Sequence, residues 1–212
     1  LKIEHRTLKI NLIAAMGENR VIGVGGGLPW RLPDEMKHFV RVTRGHTVVM
    51  GRRTFESVGC KPLPNRLNIV LTRDACYAVP AGVKKAANVA EAVELAAATP
   101  PPPDMTPHPG MPARPETVSD TVLESAYITG SDPVSSGVSS GEVFICGGER
   151  AYREALPMAD ALYLTVVHAS PEGDAWFPAF DLSRWKLTDE SRHGADDRHA
   201  FAFTFRRYER LR

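Results

Sequence analysis

The chain has 212 residues, 43% of them apolar, and a formal charge of +1 from 26 Lys and Arg against 25 Asp and Glu. That length suits one domain with a continuous core and excludes a disulfide miniprotein, while the balanced charge excludes a global basic field for holding nucleic acid. The longest apolar runs, 10–16 and 161–167, fall far short of the roughly 20 residues a membrane-spanning helix needs, so no membrane partner is expected. Cys60, Cys76 and Cys146 are odd in number and lack a CxxC spacing, which fits a reducing compartment. Lys2, Glu4, His5, Arg6 and Lys9 interrupt the one stretch placed like a signal peptide, so the expected location is cytoplasmic.

In chain order, 10–16 reads as a strand buried on both faces, because apolar residues fill nearly every position. Gly25-Gly26-Gly27 then leads through Trp30 to Pro33, which opens a helix with Met36, Phe39 and Val40 at helical spacing. Strands follow at 47–50 and 67–71, the first breaking at Gly51 into a helix start. Asn88 with Glu91 forms a capping-box-like start for a helix over 89–98. Between residues 99 and 141 the composition changes: four consecutive prolines, further isolated prolines and a Ser/Gly run. Such a segment buries too little apolar surface to offset its ordering entropy, so it is read as a flexible low-complexity insertion. Its short apolar run, 122–128, takes the same reading. A buried strand at 143–146, a helix at 149–156, a strand at 162–167 and an alternating strand at 200–208 with Phe201, Phe203 and Phe205 complete the pattern. The expected fold is α/β, a mostly parallel mixed sheet with an antiparallel C-terminal strand and helices on both faces.

Three strand ends carry residues suited to phosphate. Cys146-Gly147-Gly148-Glu149-Arg150 turns a buried strand directly into a helix, and glycines there let backbone N–H groups approach an anion. Gly51-Arg52-Arg53-Thr54 adds two bidentate donors and a hydroxyl, and Leu71-Thr72-Arg73 another hydroxyl and cation. Ligands of open α/β sheets gather at such carboxyl ends. Glu35, one residue before Met36, is placed at the edge of the helix's buried stripe, where desolvation disfavours the charged form of a carboxyl. The seven histidines show no HxxxH or HExxH spacing, so no metal is expected and they are read as surface or structural residues.

These motifs together resemble dihydrofolate reductase. The resemblance runs in order through Leu12-Ile13-Ala14-Ala15, Val21-Ile22-Gly23, Leu28-Pro29-Trp30, Leu32-Pro33-Asp34-Glu35, Val49-Met50-Gly51-Arg52-Arg53-Thr54-Phe55-Glu56-Ser57, Pro62-Leu63-Pro64-Asn65-Arg66, Cys146-Gly147-Gly148, Tyr163-Leu164-Thr165 and Glu172-Gly173-Asp174-Ala175-Trp176-Phe177-Pro178. It implies one domain, 1–212, interrupted at about 99–141, and NADPH-dependent reduction of dihydrofolate. By this resemblance Glu35 binds the pterin N3 and 2-amino group, Thr165 hydrogen-bonds to the same system, and Trp30 positions a water near the carboxylate. Ile13, Ala15 and Phe39 are similar to pterin and aminobenzoate contacts, with Leu63 further out, and Arg66 resembles the arginine that pairs with the substrate carboxylate.

For the cofactor, the resemblance implies a cis-joined Gly147–Gly148 pair under the pyrophosphate and a phosphate loop at Gly51, Arg52, Arg53 and Thr54. Arg73 resembles the selector for the 2′-phosphate, with Leu71, Thr72, Glu149, Arg150, Cys146, Tyr152, Ile22 and Ala15 also in the cofactor cleft. The segment 19–30 corresponds to the mobile active-site loop, and Asp174 to a residue that braces it. Two departures bear on this. Glu149 stands where a small residue is common, and its charge repels a pyrophosphate unless the carboxylate points away. Three consecutive glycines are expected to loosen the active-site loop. The implied partners are dihydrofolate and antifolate inhibitors, and the implied state is a monomer. Two other readings stay open: a reductase of the riboflavin-synthesis type on the same scaffold, and a folate- or NADPH-binding protein without turnover.

Overall fold

The computed structural model describes residues 8–99 and 141–212. Apart from Thr99 and Gly141, the insertion and its 122–128 stripe lie outside the described residues. Eight strands form one sheet in the order β5-β4-β3-β6-β1-β7-β10-β9: β1 Lys9–Gly17, β3 Thr47–Gly51, β4 Leu67–Leu71, β5 Val83–Ala86, β6 Glu142–Ile145, β7 Ala161–Val167, β9 Trp185–His193 and β10 Phe203–Arg210. The run from β5 to β7 is parallel, while β10 pairs antiparallel with both β7 and β9. Two short strands, β2 Val21–Gly23 and β8 Ala175–Trp176, pair separately.

The alternation of side chains along each strand sorts the core into two layers. Leu12, Ala14, Val49, Ile69, Val143 and Ile145 face one way and meet α3 (Val89–Ala98) and α4 (Glu149–Ala155). Their neighbours Ile13, Val48, Met50, Val70 and Phe144 face the other way, toward Phe39 and Val42 of α1 (Pro33–Thr43) and Phe55 of α2 (Arg52–Ser57). Helices therefore cover both faces, which explains why the central strands are apolar at successive positions.

Several boundaries differ from the sequence reading. The C-terminal strand starts at Phe203 instead of residue 200, because a reciprocal pair of backbone bonds between Asp196 and His199 closes a turn just before it. Phe201 is left outside the strand, 38% exposed. The fourth helix ends at Ala155 and tightens into a 3₁₀ turn over Leu156–Met158. Strands β5 and β9 had no signal in the pattern: both are sheet edges, where Lys84, Lys85 and most of β9 face solvent. Finally, Gly25 and Gly26 have φ of 55° and 84° and form the centre of a two-residue hairpin turn closed by Val24–Gly27 backbone bonds at 2.9 and 3.0 Å. Successive positive φ values are what such a turn needs. Asp174 Oδ2 accepts the Gly25 N–H at 2.9 Å. Two of the three glycines thus form the centre of a defined turn within the loop.

Candidate active site

A cleft of about 1480 Å³ runs along the carboxyl ends of the parallel strands. Chain connections diverge there: β1 leads to β3 through α1 on one face, and β6 leads to β7 through α4 on the other, so the strand ends are left uncovered. The volume exceeds that of an ordinary single-ligand pocket.

One end of the cleft is built around α1. Leu32 (5% exposed), Glu35 (7%) and Thr43 (0%) are buried, and with Phe39 they fall at helical spacing on one face. Glu35 is thus in the middle of the buried stripe, and Met36 is the partly exposed residue beside the cleft. The sequence reading had placed these two the other way round, because it took the apolar side chain to mark the core. Burial pushes the Glu35 carboxyl up to about 7, opposed by a hydrogen bond from the Thr165 hydroxyl. Thr165 is held in β7 directly opposite Ala15 of β1.

Glu35, Ile13, Ala15, Phe39 and Leu63 all line the cleft. Trp30, Thr165 and Arg66 stand behind its wall. Trp30 packs with Leu32, Val167 and Phe203, and its indole N–H is buried with no partner among the described residues. Arg66, 5% exposed, donates to the Val40 carbonyl at 3.4 Å and lies 5.9 Å from the Phe39 ring centroid. Leu28, Met50 and Val58 also line the cleft and were not anticipated. Met50 was detectable by parity, since it shares a strand face with Val48.

The other end is a glycine cradle. The Gly147–Gly148 peptide is cis and Gly147 has φ of 121°. A Cβ on Gly147 would meet Tyr152 Oη at 3.3 Å and Thr54 Oγ1 at 3.5 Å, and one on Gly148 would meet Thr54 Oγ1 at 3.3 Å. Gly51 N–H donates to the Gly147 carbonyl at 2.7 Å, and the Tyr152 hydroxyl donates to the Ile13 carbonyl at 2.7 Å, so the cradle is tied to β3 and β1. Burial raises both neighbouring acids, Tyr152 well above its ordinary value and the Cys146 thiol to about 12, so neither is anionic at neutral pH.

Ile22, Gly51, Leu71, Thr72 and Cys146 line this part of the cleft together with Arg52, Arg53, Arg73 and Arg150. Arg53, Arg73 and Arg150 are exposed. Arg52 lies 3.5 Å from Asp74, 3.7 Å from Glu56 and over the Tyr77 ring. The Glu149 carboxylate pairs with Arg153 and accepts the Trp176 N–H at 3.1 Å. Those two contacts direct the carboxylate toward Arg153 and the Trp176 backbone.

A family model described as dihydrofolate reductase matches residues 9–102 and 123–210. The chain belongs to the dihydrofolate reductase family. The skipped residues, 103–122, fall inside the interruption seen in the composition. Among relatives, dihydrofolate reductase type 3 of Salmonella typhimurium is 37% identical over 196 residues, covering 92% of this chain and 94% of that protein. The Bacillus subtilis dihydrofolate reductase is 32% identical over 203 residues, covering 95% and 94%. Among solved structures, dihydrofolate reductase from Enterococcus faecalis complexed with NADP(H) and RAB-propyl aligns with a TM-score of 0.72 and 31% identity, covering 96% of this chain and 97% of that one. Membership in this family displaces the riboflavin-type reading.

Proposed function

We propose that this protein reduces 7,8-dihydrofolate to 5,6,7,8-tetrahydrofolate with NADPH. The observation that carries the reading is one continuous cleft with a buried carboxyl, Glu35, at one end and the Gly147–Gly148 cradle at the other. The residues present fit a dinucleotide: only glycine leaves the backbone accessible between Tyr152 and Thr54, and Arg53, Arg73 and Arg150 offer exposed cations along the same edge. NADPH, when bound, supplies the hydride that pterin C6 accepts.

The chain's own residues bind and orient. Arg53 and Thr54 hold the pyrophosphate beside the glycine pair, and Thr72 with Arg73 takes the 2′-phosphate. Glu35 accepts hydrogen bonds from the pterin N3 and 2-amino group, held in place by Thr165. Its charge, in this low-dielectric pocket, favours the N5-protonated pterin without touching N5. The unpartnered indole N–H of Trp30 orders a water beside that carboxylate. Arg66, behind Phe39 and Leu63, pairs with the substrate's carboxylate once it reaches past those side chains. Antifolate inhibitors compete at the Glu35 end. The reading extends to a monomer working in the cytoplasm without nucleic-acid or membrane partners; among the described residues no helix is long and apolar enough to cross a membrane.

The test is NADPH oxidation by the pure protein with dihydrofolate, for the wild type and Glu35→Gln. The variant is expected to lose roughly a hundredfold or more in turnover, with NADPH affinity within a few-fold, because the carboxyl acts on the pterin. Near-normal turnover in the variant would overturn the assignment.

A further inference from the structure

We propose that Asp34, His193 and His199 form a binding site for a divalent transition metal of the zinc class, where the first turn of α1 meets the turn between β9 and β10. Asp34 Oδ2 lies 3.5 Å from His193 Nε2 and 3.6 Å from His199 Nε2, and the three donor atoms fall within 4.8 Å of one another. Tetrahedral zinc with bonds of about 2.0–2.2 Å has ligand–ligand edges of roughly 3.3–3.6 Å. Two of the three edges already match, and the third is no longer than 4.8 Å, so an ion requires the Asp34 carboxylate and the two fixed rings to draw together slightly.

The protonation pattern points the same way. His193 Nδ1 is 2.6 Å from the Gly194 carbonyl, an oxygen that can only accept, so Nδ1 carries the proton. His199 Nδ1 is 2.7 Å from Asp196 Oδ1, and its Nε2 accepts the Asp34 backbone N–H at 3.2 Å, which again places the proton on Nδ1. His193 therefore presents its Nε2 toward the Asp34 carboxylate at 3.5 Å, whereas the His199 Nε2 lone pair is occupied by the Asp34 N–H, with Asp34 Oδ2 3.6 Å away. A carbonyl or carboxylate behind Nδ1 is the outer support that metal-bound histidines use. Both rings are also fixed by packing: His199 is fully buried, and His193 lies flat on Phe203 with 4.6 Å between centroids and 5° between planes.

Other charges face the same carboxylate. Lys37 holds Asp34 Oδ1 at 3.0 Å, which leaves Oδ2 available, and Arg198 approaches Oδ2 at 3.4 Å. Arg198 is 61% exposed and swings into solvent when an ion takes Oδ2. The ion also displaces the Asp34 N–H from His199, which limits affinity. Two imidazoles and one carboxylate select zinc, cobalt, nickel or copper over magnesium or calcium. The fourth position is open to water, with Asp196 Oδ2 4.0 Å from His193 Nε2. None of the three ligands lines the cleft, so the metal acts as a staple joining the helix that carries Glu35 to the C-terminal hairpin. Sequence spacing missed the group because its members come from positions 34, 193 and 199.

The test is zinc titration of the full chain against a chromophoric chelator, with thermal unfolding and cobalt substitution read in parallel. The expected result is one zinc per chain, intense visible bands of tetrahedral cobalt, and Tm raised by roughly 5 °C or more at about one hundred times Kd. His193→Gln is expected to weaken zinc binding at least tenfold and abolish the cobalt bands, while its Tm without zinc and its turnover stay near wild type. Asp34→Asn, which keeps the side chain's shape, is expected to do the same to zinc binding. No stoichiometric binding by the wild type overturns the proposal. So does equal binding by the wild type and both variants, which would place zinc on other donors such as the exposed Cys60 and Cys76.

Discussion

Glu35 carries an energetic cost, the burial of an ionisable carboxyl. Its carboxyl titrates near 4.5 in an unfolded chain and at about 7 in the fold. Between those values the folded protein binds the proton more tightly, so stability falls as pH rises through the window and levels off above it. At about 1.36 kcal/mol per pH unit the loss is roughly 3 kcal/mol. Glu35→Gln has no such charge to bury, so its urea midpoint is expected to exceed that of the wild type above pH 7 and to converge with it toward pH 4.5. A constant offset at all pH values would mean that Glu35 is not the group responsible. Arg73 is the opposite case, an exposed side chain at the end of β4 that makes no ion pair among the described residues. Arg73→Ala is expected to weaken NADPH binding by roughly 1.5–3 kcal/mol, the value of a charge-assisted hydrogen bond, and to leave NADH binding unchanged. An equal loss for both nucleotides would assign Arg73 a role in folding instead.

Among the elements, α3 shows local rules operating without help from the site. Asn88 Oδ1 accepts the Glu91 N–H at 2.9 Å, and Glu91 Oε2 accepts the Ala87 N–H at 2.7 Å. The reciprocal cap read from Asn88 and Glu91 is present, with the glutamate reaching one residue further back. Asn88→Ala is expected to cost about 1 kcal/mol, or roughly 2–4 °C in Tm for a chain of this size, with kcat and KM unchanged. A change in kcat would mean that α3 communicates with the cleft. The first turn of α1 differs, because its rotation is set by what lies beneath it: Leu32, Phe39 and Thr43 face the sheet, and Glu35 has to follow them inward. His38 on the same helix stacks on Phe205 at 4.1 Å, and burial lowers its imidazole to about 4, so it remains a neutral structural residue.

At the scale of the whole molecule, the interruption enters and leaves on the side away from the chemistry. Thr99 follows α3 and Gly141 precedes β6, whose carboxyl end leads to Gly147. Gly141 also accepts the Lys9 N–H at 3.1 Å, at the start of β1. Replacing residues 99–141 by a short Gly-containing turn is therefore expected to leave kcat/KM for dihydrofolate and NADPH within about threefold. Because closure entropy varies only with the logarithm of loop length, stability is expected to change little. Circular dichroism confirms folding. A folded deletion variant that lost more than about tenfold, or roughly 1.4 kcal/mol of transition-state stabilisation, would show that the segment reaches the active site.

The sequence by itself determined whatever depends on neighbours along the chain. The buried parallel strands, the Pro33 and Asn88 helix starts and the glycine pair after β6 follow from periodicity, capping and backbone freedom, and their order identified the family. The tertiary structure alone decided what depends on distant partners. The rotation of Glu35 into the core depends on the sheet beneath α1, and the placement of Arg52 depends on Asp74 and Tyr77 beyond the next strand. Edge strands β5 and β9 are polar and acquire their structure from the strand they pair with. The meeting of Asp34 with His193 and His199 spans more than 150 positions. Local interactions act at fixed sequence spacing and leave a readable period, whereas contacts across a sheet are set by topology and packing, which no window of sequence contains.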